Sequence, residues 1–209
     1  MDSVVVQPLE LTFSSVWMLP PEYRSLRQAL KSKGYTLEDK GRGSTVILAS
    51  KGSIEIFANL ERRTIGIGSE TSTNDLLVAY EDLEKVYEEL GIETLNILFY
   101  EFIGYFSTTS TKSPLETMKS LEVGQDIVRK IGNALGKDLA ILGLNLAVKH
   151  GNPTSSEWLH LSIEPLYASA NKRFYVTTIC RGKKEDVADF VKRIEKGVGE
   201  IIDKVEGSS

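Results

Sequence analysis

The order of predicted elements repeats once along the chain, and this repetition constrains the fold more than any single motif. Each half of the 209 residues contains a strand, a helix, three or four antiparallel strands and a second helix. The period is about 100 residues with a boundary near Glu93, although the two halves share little residue identity. A repeat of this kind buries its long helices on one side of a continuous antiparallel sheet.

The predicted fold class is therefore α+β, with two tandem βα(β)nα repeats that form one curved antiparallel sheet backed by helices. The N-terminal repeat is expected to span residues 1–93 and the C-terminal repeat residues 94–206. Residues 207–209, Gly-Ser-Ser, are expected to be a disordered tail. The length and the ordinary composition are sufficient for a buried core without disulfides.

Helix and turn signals support the N-terminal repeat. Pro20 and Pro21 predict the start of a helix, because proline is tolerated in a first turn. A turn at Gly52 predicts that the strands on either side pair antiparallel. A strong amphipathic helix follows, with Asn74 as its predicted N-cap and Gly91 as the residue that ends it.

Similar signals recur in the C-terminal repeat. The aromatic segment "FYEFIGYF" has apolar residues on both faces, which suits either a strand covered on both sides or a strand central to the sheet. The capping box that begins at Ser113 predicts a helix, expected to reach Leu135. Further strands are predicted at residues 140–149, 157–166 and 173–181, followed by a final helix.

Alternation within "GSIEIFANLERRTIGIGSE" predicts one apolar face and one polar face of the sheet. The isoleucines on one face must meet the helices, so Glu55, Phe57 and Asn59 point to the other side. In the next strand Gly66 and Gly68 continue this second face. Small residues let a partner approach the sheet closely, although they also relieve strand twist.

The C-terminal repeat presents a comparable face. Trp158, His160 and Glu164 alternate with inward leucines, and Lys149 ends the neighbouring strand on the same side as Asn145. An outward aromatic residue beside small residues is typical of a protein interface. We therefore predict that a protein or peptide partner, or a second copy of the chain, binds through the following residues: Phe57, Asn59, Lys149, Trp158 and His160.

The order of elements resembles the TATA-binding protein fold, a tandem pair of strand–helix–strands–helix repeats that forms a saddle. The closest local likeness covers residues 45–86, where two hairpins and a capped helix follow in the same order. In that family basic residues and paired phenylalanines on the underside of the saddle kink DNA. The resemblance implies, as an alternative function, a nucleic-acid-binding module.

Charge argues against this alternative without excluding it. The net charge is −4 and the pI about 5.4, whereas nucleic-acid binding depends on neutralising phosphates with lysine and arginine. Glu55 and Glu164 have the wrong sign for the underside of a DNA saddle. If the basic turns lined one edge of the sheet, four of their residues could contact phosphates: Arg62, Arg63, Lys172 and Arg173.

No motif commits the chain to catalysis. With two histidines and one cysteine, it lacks the ligand clusters of a metal site, so no catalytic residue, metal or cofactor is expected. A small-ligand protein or enzyme with a pocket near His160 remains a further alternative. Arg181 could lower the pKa of the neighbouring thiol of Cys180, but a buried, inert thiol is favoured.

The sequence predicts a cytoplasmic location. The N-terminal residues do not resemble a signal peptide, and no apolar run approaches the roughly 18 residues of a membrane span. A single cysteine excludes an intramolecular disulfide, which fits a reducing compartment.

Overall fold

The structure is a computed structural model that describes residues 4–122 and 124–207. Within these residues the strands are β1 (Val6–Trp17), β2 (Thr36–Arg42), β3 (Thr45–Lys51), β4 (Ile54–Asn59), β5 (Thr64–Ser69), β6 (Ile97–Thr109), β7 (Leu144–Ala147), β8 (Trp158–Pro165) and β9 (Arg173–Gly182). The helices are α1 (Tyr23–Ser32), α2 (Thr73–Glu89), α3 (Pro114–Ser120), α4 (Gln125–Leu135) and α5 (Lys184–Gly207). Two short 3-10 helices lie at Thr94–Asn96 and Tyr167–Ser169.

All described strands belong to one antiparallel sheet, in the order β2-β3-β4-β5-β1-β6-β9-β8-β7. The two longest strands, β1 and β6, pair with each other in the interior of the sheet. The aromatic segment of β6 is therefore a central strand, with β1 on one side and β9 on the other. The predicted α+β class with an antiparallel sheet and helices is confirmed.

The core lies between one face of the sheet and the helices. Leu11, Phe13 and Trp17 alternate along β1 and are almost fully buried, as the period of a strand requires. The ring of Phe13 meets the ring of Tyr80 in α2 edge to face, with 4.4 Å between the centroids. The same core includes the apolar positions of α5, namely Val187, Val191, Ile194, Val198 and Ile202.

The helix starts in the N-terminal half differ slightly from the sequence prediction. The hydroxyl of Ser72 accepts a hydrogen bond from the backbone N–H of Asp75, so Ser72 and not Asn74 is the N-cap of α2. Asn74 lies inside the first turn. Helix α1 begins at Tyr23, just beyond Pro20 and Pro21, and the carboxylate of Glu22 caps it.

The long helix predicted after Ser113 is wrong, because the structure has two helices there. Ser113 caps α3 as expected, but that helix ends at Ser120 and α4 begins at Gln125. Gly124 separates them with a φ of +76°, a left-handed conformation that cannot continue a right-handed helix. The strand predicted over residues 140–149 is likewise shorter, because its ladder with β8 begins only at Leu144, after Gly143.

The last helix is longer than predicted at its C-terminal end. Residue Gly207, expected in a disordered tail, is the last residue of α5. The remainder of that predicted tail, residues 208–209, lies outside the described residues. Among the helices of the described ranges, none is long and apolar enough to cross a membrane.

Candidate functional site

We call the sheet surface opposite α1, α2 and α5 the open face. Strand register fixes its members, because directly paired residues point to the same side. Phe57 pairs with Gly66, which pairs with Ser14 of β1. Beyond Ser14 this cross-strand row continues through β6, β9 and β8 with Glu101, Arg181 and Trp158. The sequence therefore placed Phe57 and Trp158 on the same face correctly.

Phe57 lies directly over Gly66, and this contact explains the glycine. A Cβ atom on Gly66 would lie 2.7 Å from Cζ of Phe57 and 2.7 Å from Cβ of Ser14. Such distances are shorter than van der Waals contact, so only glycine fits between the two side chains. The half-buried ring of Phe57 therefore rests on backbone.

The middle of the open face carries an ion pair between Glu101 and Arg181. Nε of Arg181 lies 2.5 Å from Oε2 of Glu101, which is only 6% exposed. The guanidinium also donates a hydrogen bond to the carbonyl of Pro153 and lies 5.6 Å from the ring centroid of Phe99. Arg181 thus ties the loop between β7 and β8 to the centre of the sheet.

The N-terminal half of the open face forms a shallow basin of about 640 Å³. Ile47 and Phe57 supply apolar surface, and Gly68 leaves room above the sheet. The carboxylates in the lining are Glu10, Glu55 and Glu70, and no lysine or arginine is among the described residues that line it. The basin can therefore accept an apolar side chain and, beside it, one or more cationic groups.

His160 lies in the row next to that of Phe57 and Trp158. It pairs with Ile179 of β9 on one side and with Ala147 of β7 on the other. From Ile179 this row of paired residues runs across the sheet to Ile103, Thr12 and Gly68. Nδ1 of His160 is buried and forms no hydrogen bond within the described part of the chain. A buried polar atom without a partner is unfavourable by about 1–3 kcal/mol.

Two other predicted binding residues have different surroundings. The amide of Asn59 donates to the hydroxyls of Ser44 and Thr45, and its Oδ1 accepts from the backbone N–H of Arg62. The side-chain amide of Asn59 therefore stabilises the turn between β4 and β5 and the start of the neighbouring strand β3. Lys149 is exposed in the turn that follows β7, so it lies at the rim of the open face.

The four basic residues considered for phosphate contacts fall at opposite ends of β1. Nη1 of Arg63 donates to the carbonyl of Met18, next to the last residue of β1, and exposed Arg62 lies in the same turn. Arg173 instead reaches Gln7 at the start of β1, with exposed Lys172 beside it. The two pairs are about 35 Å apart along the strand and do not line one edge.

Cys180 is not an activated thiol. Burial, followed by the nearby carboxylate of Asp186, raises the pKa of Cys180 to about 11. The neighbouring Arg181 does not lower this pKa, because its guanidinium is engaged on the open face with Glu101. The favoured interpretation of an inert thiol agrees with this environment.

Sequence reasoning missed the Glu101–Arg181 pair and two of the three basin carboxylates. Alternation along "FYEFIGYF" puts Glu101 on the side of Phe99 and Tyr105, and one acid among aromatic residues signals an embedded charge. From the sequence, Arg181 was linked only to the thiol of Cys180 and not to Glu101. Glu10 lies in β1 and Glu70 directly follows β5, and the pairing of β5 with both β1 and β4 cannot be read from the sequence alone.

Comparisons with known proteins add no further assignment. No protein-family model matches the chain, and no curated protein sequence matches it either. Among the described side chains, no group of three or more histidine, cysteine, aspartate or glutamate residues is arranged to hold a metal ion. The open face, with its acidic basin and its central ion pair, is the candidate site.

Proposed function

We propose that the chain is a non-enzymatic binding protein of the cytoplasm that uses the open face of its sheet to bind a segment of another protein. The observation that carries this proposal is the acidic basin around Phe57. Its three carboxylates, Glu10, Glu55 and Glu70, line the same basin as an aromatic ring that rests on glycine. This combination suits a peptide that presents a basic side chain next to an apolar one.

The charge of the basin gives the proposed partner its chemistry. A cationic side chain placed near three carboxylates is attracted, and the aromatic ring adds a cation–π contribution of about 0.5–1 kcal/mol at an exposed site. A phosphate in the same position would be repelled. The proposed partner is therefore a lysine- or arginine-containing segment.

The C-terminal half of the open face supplies polar groups that suit a peptide backbone. His160 lies on this half of the open face, and its buried Nδ1 forms no hydrogen bond in the described structure. Asn145 and Ser162 pair with each other in the neighbouring row of the same face. Trp158 flanks this area, partly covered by Gly151 of its own loop.

Titration of a fluorescein-labelled peptide with alternating lysine and leucine tests the proposal through its anisotropy. Glu55→Gln should raise the dissociation constant about fivefold and Phe57→Ala about tenfold, because each removes one kind of contact. Glu81→Gln, the same charge change at an exposed position of α2, is the matched control and should leave the constant unchanged. Equal effects of Glu55→Gln and Glu81→Gln would reject a specific role for the basin.

We also propose that the two halves are tandem structural repeats, as in the resemblance to the TATA-binding protein fold. In each half the first strand pairs with the last one: β1 with β5, and β6 with β9. The remaining strands then follow outward in descending order on both sides. This correspondence supports a duplication.

The repeat arrangement favours nucleic-acid binding as a second candidate function. That function would place phosphates near the open face, where Glu10, Glu55 and Glu70 repel them. The separation of Arg62 and Arg63 from Lys172 and Arg173 leaves no continuous basic track among the four. The protein segment is therefore the better candidate.

A further inference from the structure

We propose that a cavity at the end of β8 binds an N-methylated organic ammonium cation through the carboxylate of Glu164 and the aromatic rings of Tyr167 and Tyr175. We call this cavity the tyrosine pocket and define it by these three residues and by the leucines that line it, Leu115, Leu142 and Leu166. It shares no lining residue with the acidic basin, and it can bind a cation without a peptide, so the proposal goes beyond the proposed function.

The tyrosine pocket has the size of a small-ligand site and a fixed wall. Its volume is about 640 Å³, within the range of about 300–1,000 Å³ that is usual for such sites. The wall consists of the start of α3 and the turn that joins β8 to β9. The backbone N–H of Leu115 donates to the carbonyl of Ala170 at 3.1 Å, and this bond ties the two segments together.

Glu164 gives the pocket its charge. It is the only charged residue among the described residues that line the cavity. No lysine or arginine of the described chain forms an ion pair with it. The guanidinium of Arg173, at the start of β9, instead donates hydrogen bonds to Gln7 and Ser107. The carboxylate of Glu164 can therefore neutralise the charge of a bound cation.

Tyr175 places an aromatic ring beside this carboxylate. Strand β9 lies between β6 and β8, so Tyr105 is on one side of Tyr175 and Glu164 on the other. The rings of Tyr105 and Tyr175 are stacked, with 6.1 Å between their centroids and 16° between their planes. Burial raises the pKa of Tyr175, and the nearby carboxylate of Glu164 contributes to the rise, so the hydroxyl stays neutral. A neutral ring next to a carboxylate attracts a cation.

Two apolar side chains at the pocket are unusually exposed. Tyr167 is 99% exposed, in the short 3-10 helix that follows β8, and Leu142 is 61% exposed. Both line the cavity, so a ligand bound there would cover part of their apolar surface. This arrangement favours a ligand with an apolar body next to its charge.

The lining favours an N-methylated cation over a primary ammonium group. A primary ammonium group is strongly hydrated and has three N–H donors that need acceptors. The carbonyls of Leu166 and Ala170 already accept backbone hydrogen bonds. A quaternary ammonium has no N–H donor, and its methyl groups suit aromatic faces and leucines. Such a group occurs in free small molecules and in the side chain of trimethyllysine, and both share this chemistry.

Isothermal calorimetry of the full chain with three probes tests the proposal. The probes are choline, its uncharged isostere 3,3-dimethylbutan-1-ol, and a tripeptide with trimethyllysine at its centre. Choline should bind with a dissociation constant of about 1 mM or lower, and the uncharged alcohol at least about tenfold more weakly. A tripeptide that binds at least about tenfold more tightly than choline would identify a methylated side chain as the ligand, and equal or weaker binding a free cation.

Variants of the pocket locate the binding. Glu164→Gln should raise the dissociation constant of choline at least about fivefold, and Tyr175→Leu about tenfold, whereas Tyr175→Phe retains the ring and should change it less than about twofold. Glu61→Gln, the same charge change at an exposed position of the turn between β4 and β5, is the matched control. Circular dichroism establishes that each variant is folded, and Glu164→Gln decides if Tyr175→Leu is not.

Three results would overturn the proposal. The first is no binding of choline or of the tripeptide at concentrations up to about 10 mM. The second is equal affinity for choline and for the uncharged alcohol, which would mean that the pocket does not recognise charge. The third is an equal effect of Glu164→Gln and Glu61→Gln, which would place the binding elsewhere.

Discussion

Phe57 and Trp158 point to the same side of the sheet in a single cross-strand row, with the four strands β5, β1, β6 and β9 between them. At about 4.8 Å per strand, the two side chains are about 24 Å apart. A small ligand cannot contact both, whereas an extended peptide reaches across this distance with about seven residues. The separation of the two aromatic residues therefore favours a polypeptide segment as the partner.

Peptide length should accordingly control affinity. A basic peptide of about ten residues should bind more tightly than either of its halves, because only the long peptide reaches from the basin to the C-terminal half. Trp158→Ala should weaken the long peptide and leave the short ones unaffected. Isothermal calorimetry with the three peptides measures this, and equal affinities of all three would contradict an extended mode of binding.

Gly66→Ala should destabilise the protein by about 1–3 kcal/mol, because the added methyl group collides with Phe57 and Ser14. Gly68→Ala is the matched control in the same strand and on the same face, where the nearest atoms to a new Cβ are 4.0 Å away. It should change the free energy of unfolding by less than about 0.5 kcal/mol. Urea unfolding measures the free energy of unfolding of both variants. Equal losses in Gly66→Ala and Gly68→Ala would show that Phe57 does not rest on Gly66.

The Glu101–Arg181 pair should couple strongly in a double-mutant cycle. Glu101→Gln and Arg181→Met each leave the other residue without its counter-charge in a largely buried setting. The double variant should therefore lose less unfolding free energy than the two single variants added together. The expected coupling is about 1–2 kcal/mol in the free energy of unfolding.

The comparison pair for this cycle is Glu84 and Lys184, which also form an ion pair but are more exposed. Glu84→Gln and Lys184→Met should show a coupling below about 1 kcal/mol, as is usual for pairs near the surface. Additive effects for Glu101 and Arg181 would mean that their contact does not stabilise the centre of the open face.

Glu206 should make stability depend on pH in the acid range. Burial alone would raise the pKa of this carboxyl group, but hydrogen bonds from Ser110, Thr111 and Lys112 together lower it below its ordinary value of 4.5. Because the pKa is lowered in the folded state, the carboxylate stabilises the protein at pH values above the ordinary pKa. This stabilisation is lost as the pH falls through the lowered pKa.

Urea unfolding between pH 7 and pH 3 measures this contribution. Glu206→Gln should be less stable than wild type at pH 7, by about 1 kcal/mol or more, and should lose less stability on acidification. Glu200→Gln, at an exposed position of the same helix, should retain the wild-type dependence. A Glu206→Gln curve parallel to that of the wild type would show that the carboxylate is not held in its charged form.

Alternation made the faces of the sheet predictable. The isoleucines of β4 and β5 had to meet the helices, so Phe57 and its neighbours were placed on the opposite face from sequence alone. The capping box at Ser113 was equally informative, because its hydrogen bonds are local. Local signals of these kinds need no knowledge of which strands are neighbours.

What the sequence could not provide depends on pairing between distant segments. The approach of Glu101 to Arg181 requires β6 and β9 to be neighbours, and the basin requires Glu10 of β1 to lie near β4 across the single strand β5. The break at Gly124 was also underestimated, because glycine is tolerated in a helix unless its φ becomes positive. Register and strand order therefore produce the candidate site, and single-sequence patterns do not encode them.

The most direct test of a protein segment as the partner is a two-probe anisotropy titration at low and at moderate salt. One probe is the labelled lysine–leucine peptide and the other a labelled DNA duplex of equal length. We predict that the peptide binds with a micromolar or lower dissociation constant and that Glu55→Gln weakens this binding. We also predict that the duplex does not bind, even at low salt. Salt-sensitive binding of the duplex with no binding of the peptide would contradict the proposal and favour a saddle that binds nucleic acid.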